Sequence, residues 1–132
     1  MKINPYLNFA GDCREAFTFY QTVFGGKLEL MAHKDTPASE HVPPEMQNQI
    51  MHGSLTIGDT VLMGSDAPMA TANSFSGTYI SVHPDTPEDA DRMFAALKEG
   101  GEVEMDLEPT FWAKRFGMLR DRWGVKWMFN VE

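Results

Sequence analysis

Cysteine, basic residues and long apolar runs are all scarce in this chain of 132 residues. Its lone cysteine, Cys13, excludes a disulfide within the chain and suits a reducing compartment. Lys and Arg number 11 against 19 Asp and Glu, and the net charge of −8 argues against nucleic-acid binding. No run approaches the ~18 apolar residues of a membrane span, and the N-terminus lacks the apolar core of a signal peptide. We therefore expect a cytoplasmic protein without nucleic-acid or membrane partners.

The chain also lacks the GxGxxG loop between a strand and a helix that holds dinucleotides. Its length fits one domain, 1–132, and leaves no room for a separate cofactor domain. We therefore expect no cofactor. Methionine, in contrast, is abundant, with ten residues.

The sequence contains two copies of one module, and such repeats decide the fold. Segments 6–30 and 79–105 share an apolar strand, a helical pattern and a glycine pair, which is Gly25 and Gly26 in one copy and Gly100 and Gly101 in the other. Further along, 52–59 aligns with 116–124 and 61–63 aligns with 126–128. We expect a first module at about 1–66, a linker at about 67–76 and a second module at about 77–132.

Each module is predicted to contain one helix and four strands. Apolar residues at helical spacing follow Asp12, which with Glu15 matches a capping box. A second helix follows Thr86, with Pro87 at its first position. The strands after the helices are predicted at 27–34, 50–57 and 60–64, and at 102–108, 115–121 and 125–131. The order of elements is therefore βαβββ, twice.

Alternation along the strands separates an apolar face, which packs under a helix, from a mixed face. Methionine and aromatic side chains on the mixed faces predict an apolar cleft of the kind that binds small molecules, because methionine adapts to irregular partners. The same side chains would also suit a collapsed cleft in which they are core. They are Tyr6, Met63, Tyr79, Phe116, Met118 and Met128.

The segment EPTFWAKRFGMLRDRWGVKWMFN (108–130) resembles the PhnB-like branch of the vicinal-oxygen-chelate superfamily, which includes glyoxalase I, bleomycin-resistance proteins and extradiol dioxygenases. IMHGSLTIGDTVLMGSD (50–66) resembles the same branch. The resemblance implies an α+β fold, in which tandem βαβββ modules form a cupped, mixed eight-stranded sheet with the helices on its outer side. It also implies a homodimer, which would cover exposed edge strands.

Metal-dependent members of that superfamily place four His, Gln or Glu ligands on four strands and leave coordination positions open for a chelating substrate. The resemblance assigns these positions to Asn4, Met63, about Tyr79, and Met128. A thioether is a soft, uncharged donor and a poor ligand for the divalent ions that such chemistry uses. We therefore expect no metal site.

The function that follows is binding of a small apolar or aromatic molecule, which could be anionic, in a cleft between the sheets. One alternative is a metal-dependent lyase or dioxygenase with ligands displaced from the expected positions. Another is an interaction module whose cleft is filled by its own side chains. Whether the protein is an enzyme stays open.

Three further residues complete the candidate site. His52 could donate to a ligand or act as a general base, or it could be an ordinary hydrogen-bonded residue of the sheet surface. Trp112 could cover a planar ligand and Arg115 could pair with an anionic one, but Trp112 and Phe111 could also plug a sheet edge or a dimer interface. The predicted ligand-binding set is Tyr6, His52, Met63, Tyr79, Trp112, Arg115, Phe116 and Met128.

The remaining titratable candidates have weaker arguments. Cys13 lies in the first turn of a helix, where the helix dipole is expected to lower the pKa of a thiol, but no histidine is predicted beside it. His33, His41 and His83 match no metal-binding spacing, and we expect them to be solvated, with His41 as a possible loop contact over the cleft.

Overall fold

The computed structural model describes residues 1–67 and 75–132. These residues form an α+β fold in which the predicted βαβββ order occurs twice. Three short 3-10 helices, His33–Asp35, Pro37–His41 and Pro44–Met46, occupy the long connection within the first module. The elements are β1 (Tyr6–Phe9), α1 (Cys13–Phe24), β2 (Lys27–Ala32), β3 (Ile50–Ile57), β4 (Thr60–Asp66), β5 (Ile80–Val82), α2 (Pro87–Leu97), β6 (Glu102–Glu108), β7 (Arg115–Arg120) and β8 (Lys126–Val131).

The chain divides into two compact units, Met1–Ser74 and Phe75–Glu132. The eight strands form two four-stranded sheets, one in each unit, with the orders β1-β4-β3-β2 and β5-β8-β7-β6. In each sheet the first strand of the module pairs parallel with its fourth strand, and the other pairs are antiparallel. The two modules therefore share one mixed topology. The predicted linker, 67–76, lies mostly outside the described residues.

One face of the first sheet packs under α1. The helix contacts β2, β3 and β4, and Phe17 lies edge-on to Phe9 and Tyr20, with ring centroids 6.0 and 5.8 Å apart. The apolar stripe predicted from the sequence is the buried face of this helix. The buried residues here include Leu7, Phe9, Ala16, Phe17, Tyr20, Val23, Leu55 and Leu62.

The second sheet packs under α2 in the same way. Phe94 of α2 lies edge-on to Phe129 of β8, with ring centroids 5.6 Å apart. Neither α-helix of the described residues has the length and apolarity to cross a membrane. The core of this module contains Ala90, Phe94, Leu97, Leu119, Val125, Trp127, Phe129 and Val131.

The two helices begin in different ways. Thr86 caps α2 as predicted, since its hydroxyl accepts the N–H of Asp89 at 3.1 Å. The capping box predicted at Asp12 and Glu15 is wrong, because the side chain of Asp12 makes no capping hydrogen bond.

The start of α1 is held instead by Asp66, the last residue of β4. Its Oδ1 accepts the backbone N–H groups of Gly11 at 3.1 Å and Cys13 at 2.9 Å. Its Oδ2 accepts the N–H of Ile50, the first residue of β3, at 2.9 Å. One buried carboxylate therefore accepts hydrogen bonds from three backbone N–H groups, two at the start of α1 and one at the start of β3.

The second glycine of each pair meets the backbone of its own sheet. A Cβ atom on Gly26 would lie 2.3 Å from the carbonyl oxygen of Thr56, and one on Gly101 would lie 2.2 Å from that of Arg120. No side chain fits at these distances. The glycine pairs found in the sequence thus have a shared steric cause in both modules.

Candidate functional site

Each sheet has a helix-distal face, formed by the strand side chains that point away from the module's helix. Burial alternates along β1, β4, β7 and β8, so that the residues of this face are exposed or half-buried while their neighbours are buried. These faces contain the methionine and aromatic side chains that the sequence assigned to a ligand site.

On the first sheet, Tyr6 and His52 form a pair. The Tyr6 hydroxyl lies 3.2 Å from Nδ1 of His52, and the two rings stack with centroids 5.7 Å apart and an interplanar angle of 29°. Met63 lies directly beside Tyr6, because the two residues are register partners in β4 and β1. The structure therefore brings together the three site residues predicted in this module, and a catalytic role for His52 stays a prediction.

On the second sheet, three methionines form a row across adjacent strands. Met105 of β6 is opposite Met118 of β7, which is opposite Met128 of β8. Ser81 of β5 is the next residue of the row, beside Met128. Met105 is 45% exposed, and the other two methionines are half-buried. Strand alternation predicted Met118 and Met128 on this face, but not Met105.

Aromatic rings flank this methionine row. Phe116 of β7 lies on the same face, opposite Asn130 of β8. The Trp112 ring is 5.3 Å from the Phe116 ring, and Phe111 follows at 4.8 Å from Trp112. Trp112 is 51% exposed and Phe111 is 97% exposed. Trp112 thus reaches the predicted site through its contact with Phe116.

Tyr79 belongs to a charged cluster that sequence reasoning missed. Its hydroxyl donates to Oε1 of Glu104 at 2.5 Å. The Lys126 ammonium lies 3.3 Å from Oε2 of the same carboxylate and 4.6 Å from the centre of the Tyr79 ring. The Tyr79 hydrogen bond, followed by Lys126, holds the pKa of Glu104 below its usual value. Tyr79, followed by Glu104, in turn raises the pKa of Lys126.

The position of Glu104 depends on an irregularity in β6. The register between β6 and β7 shifts between Val103 and Met105. Such a shift adds a residue to one strand and changes the direction of its side chains. Simple alternation would not predict this change of direction. The signal that the sequence offers is an acidic residue, Glu104, next to Met105 of the methionine row.

The Arg115 side chain does not lie on the face that carries the other predicted site residues. Its Nε donates to Oδ1 of Asp91 in α2 at 3.0 Å, and its Nη1 donates to the carbonyl oxygen of Lys114 at 2.9 Å. Adjacent residues of a strand point to opposite faces, so Arg115 lies on the helix side while Phe116 lies on the helix-distal face. Two cations of the helix-distal face are Lys126 and its register partner Arg120, which is paired with Glu102 at 2.8 Å.

Cys13 is fully buried, and its environment has the opposite effect from the one predicted. Burial, followed by the charge of Asp66, raises the pKa of the thiol to about 12. Desolvation therefore outweighs the helix dipole, and the thiol stays protonated at neutral pH. The expectation of a lowered pKa is wrong.

The other three histidines do not lie among the predicted site residues of the helix-distal faces, although His83 contacts Ser81 beside them. His41 is exposed in the second 3-10 helix, and His33 is half-buried at the start of the first. Nε2 of His83 lies 2.8 Å from the hydroxyl oxygen of Ser81. Among the three, only His83 contacts a residue of the methionine row.

A depression of about 500 Å³ lies on the other side of the first module, at the start of α1. Two of its polar side chains, Asp66 and Arg14, are already engaged. Both oxygens of Asp66 accept backbone N–H groups, and Nη2 of Arg14 donates to the carbonyl oxygen of Asn48 at 3.4 Å. The depression is also lined by Gly11, Glu15, Thr18, Asn48 and Gln49, and none of its residues belongs to the predicted ligand-binding set.

Comparison with known proteins agrees with the repeated topology. A family model described as the glyoxalase/bleomycin resistance protein/dioxygenase superfamily matches residues 2–129. The chain belongs to this superfamily. Protein YjdN of Escherichia coli (strain K12) is 34% identical over 140 residues, which cover 99% of this chain and 95% of YjdN.

Solved structures of the superfamily fold support the assignment. Protein PA1353 from Pseudomonas aeruginosa is 45% identical, with a TM-score of 0.89 and coverage of 100% of this chain and 98% of that one. The PhnB protein from Bacillus cereus is 24% identical, with a TM-score of 0.80 and full coverage of both chains, and shows the shared fold. The superfamily predicted from the sequence is confirmed by the family model.

The register shows which residues lie beside the two methionines assigned to ligand positions of metal-dependent superfamily members. The strand neighbour of Met63 is Tyr6, two residues after Asn4, and the strand neighbour of Met128 is Ser81, two residues after Tyr79. These four residues are Tyr6, Met63, Ser81 and Met128.

The donors at these four positions are two thioethers and two neutral hydroxyls. Divalent ions of the superfamily chemistry prefer imidazole and carboxylate ligands, so this set does not fit such an ion. Over residues 1–67 and 75–132, no three His, Cys, Asp or Glu side chains are grouped so that they could hold a metal.

Proposed function

We propose that the protein binds a small apolar or aromatic molecule on its helix-distal faces, without a metal ion. The observation that carries this proposal is the row of Met105, Met118 and Met128 across three adjacent strands. Thioether side chains are flexible and polarizable, and they make favourable contacts with aromatic rings. A row of partly exposed thioethers beside the Phe116 and Trp112 rings is therefore suited to a flat apolar ligand.

The charges on the same face favour a neutral ligand over an anionic one. Lys126 is already paired with Glu104 and lies over the ring of Tyr79. An anion at Lys126 would have to compete with Glu104, and Arg120 of the same face is already paired with Glu102. Arg115, the other cation considered for an anion, is engaged by Asp91.

The donor chemistry distinguishes this proposal from a metal-dependent lyase or dioxygenase. Ligands displaced from the expected positions would have to converge from other parts of the faces. In the described residues the histidine closest to this role, His52, is paired with Tyr6 and has no carboxylate beside it in hydrogen-bond contact. The predicted location of the ligand between the sheets stays a prediction.

A thermal-shift and NMR screen against small aromatic compounds tests the proposal. A ligand at 100 times its Kd stabilises the folded state by about 2.7 kcal/mol, which raises Tm by several degrees. Met118→Gln keeps the chain length of the side chain but makes the centre of the row polar, so we expect at least a tenfold loss of affinity.

The matched control is Met93→Gln, which changes a half-buried methionine of α2 instead of the sheet. It should leave the affinity unchanged. The proposal fails if no compound of the screen raises Tm, or if the two variants weaken binding equally.

We also propose that the protein is a cytoplasmic homodimer. Each sheet has two edge strands within the described residues, and Val103 and Met105 are exposed on the edge strand β6. Edge strands with exposed apolar residues are commonly covered by a partner. Light scattering after size exclusion should give twice the chain mass of 14.9 kDa, and a single-chain mass would exclude the dimer.

A further inference from the structure

The helix-distal face of the second sheet contains an unsatisfied polar atom. Oδ1 of Asn130, on β8, is buried and has no hydrogen-bond partner among residues 1–67 and 75–132. More than nine in ten buried polar groups in proteins are hydrogen-bonded, and an unsatisfied one destabilises the folded state. An atom that carries this cost in the free protein is expected to have a partner in another state.

The first module shows how the matched position is satisfied by another side chain of the same sheet. Ser65 lies two residues after Met63, as Asn130 lies two residues after Met128. The Ser65 hydroxyl donates to Oδ1 of Asn8, its register partner, at 3.3 Å. The two modules therefore differ at an otherwise repeated position.

In the second module, the residue that corresponds to Asn8 is His83, one position beyond the end of β5. Its Nε2 contacts the hydroxyl oxygen of Ser81 at 2.8 Å instead of Asn130. The internal hydrogen bond of the first module is thus absent from the second, and an acceptor is left on the methionine and aromatic face.

We infer that the amide oxygen of Asn130 accepts a hydrogen bond from an O–H or N–H group of the bound ligand. The inference rests on the proposed function and defines its ligand class. Phe116 lies opposite Asn130, and Met128 lies two residues away on the same face. A flat ring seated on these apolar side chains would present its edge to the amide oxygen. The fitting class is a neutral aromatic compound with one donor at its rim, such as a phenol or an indole.

Two matched pairs of probes test this assignment. Phenol and indole carry the donor, whereas anisole and 1-methylindole have it blocked by a methyl group. A neutral hydrogen bond contributes about 1–1.5 kcal/mol, which corresponds to about a tenfold difference in Kd. We expect each donor compound to bind about tenfold more tightly than its methylated partner in NMR titrations.

Substitution of the amide connects this difference to Asn130. Asn130→Leu has a similar shape and no acceptor, so it should weaken phenol and indole about tenfold and leave the methylated probes unchanged. Asn8→Leu, which changes the amide on the first sheet, should preserve the preference for donors. The inference is overturned if wild-type protein binds both members of each pair equally, or if Asn130→Leu leaves the preference intact.

The free protein supplies a second measurement. Because Asn130→Leu removes an unsatisfied buried acceptor, we expect its Tm to equal or exceed that of wild type. A decrease of several degrees would show that Asn130 has a partner within the chain, and would overturn the inference without any ligand. If none of the four probes binds and Met118→Gln also changes nothing in the wider screen, the proposed function itself fails. Binding without a donor preference removes only the role of Asn130.

Discussion

The carboxylate of Asp66 accepts the backbone N–H of Cys13 at 2.9 Å, although 53 positions separate the two residues. The same carboxylate accepts the N–H groups of Gly11 and Ile50. The end of β4 therefore holds the first turn of α1 and the start of β3 in place.

Asp66→Ala should strongly destabilise the fold. It leaves three amides without their acceptor, and hydrogen bonds to a charged group contribute about 1.5–3 kcal/mol each, so we expect a loss of at least about 3 kcal/mol. Urea denaturation measures the change. Asp12→Ala is the control and should cost less than about 0.5 kcal/mol, because its side chain makes no capping bond. Equal losses in the two variants would show that Asp12 caps the helix after all.

The buried thiol of Cys13 predicts a loss of stability at alkaline pH. Its pKa is raised from the usual 9.0 to about 12. Between these values the unfolded chain releases the thiol proton and the folded chain keeps it, so stability falls by about 1.4 kcal/mol per pH unit. This contribution is complete below pH 9 and is lost as the pH rises toward 12.

Cys13→Ala isolates that contribution from the titration of lysines and tyrosines elsewhere. The difference in unfolding free energy between wild type and Cys13→Ala should shrink as the pH rises above 9, where the unfolded thiol ionises. Iodoacetamide should also react slowly with native protein at pH 8. Parallel stability curves would rule out the raised thiol pKa.

Gly101→Ala tests the steric origin of the glycine pairs. The added Cβ would lie 2.2 Å from the carbonyl oxygen of Arg120, and neither atom belongs to a movable side chain. We expect a loss of about 2 kcal/mol or more by denaturant titration. Gly25→Ala, where the Cβ meets nothing within 4 Å but φ is +74°, should cost about 1 kcal/mol. A smaller loss for Gly101→Ala than for Gly25→Ala contradicts this explanation.

Tyr79→Phe should raise the pKa of Glu104. It removes the hydrogen bond that lowers this pKa most and leaves Lys126 in place, so the pKa should move up. The stabilisation from Glu104 is present above the ordinary carboxyl pKa and disappears as the pH falls through the lowered one, and Tyr79→Phe should weaken it. Carboxyl ¹³C shifts followed through an acid titration report the change. The Glu29 resonance, from the other module, is the internal control, and an unchanged Glu104 curve contradicts the prediction.

The sequence predicted most of the fold because its signals are local. Helical spacing gave α1 and α2, Thr86 gave a cap, and alternation placed Met63 and Met128 on the correct faces. Strand ends were less accurate. β2 ends at Ala32 because the chain then enters a 3-10 helix, whose first N–H, from His33, bonds the carbonyl oxygen of Gln49 at 3.1 Å.

The parts that could not be predicted depend on long-range contacts or on register. Asp66 reaches its amides only after β4 has paired with β1. Glu104 reaches Tyr79 only because β6 is irregular. Arg115 was assigned to the ligand site because it is close to Trp112 in the sequence. Adjacent residues of a strand point to opposite faces, however, so Arg115 and Phe116 lie on different sides of the sheet.

The duplicated topology also bears on the order in which the molecule is made. All four strands of the first sheet, and the helix that covers it, lie within residues 6–66. Since translation proceeds from the N-terminus and compact units fold as they emerge, this half can complete its sheet before the second half has emerged from the ribosome. The parallel pair of each sheet is closed within its own module, over residues 6–66 in the first and 80–131 in the second, and does not need the whole polypeptide.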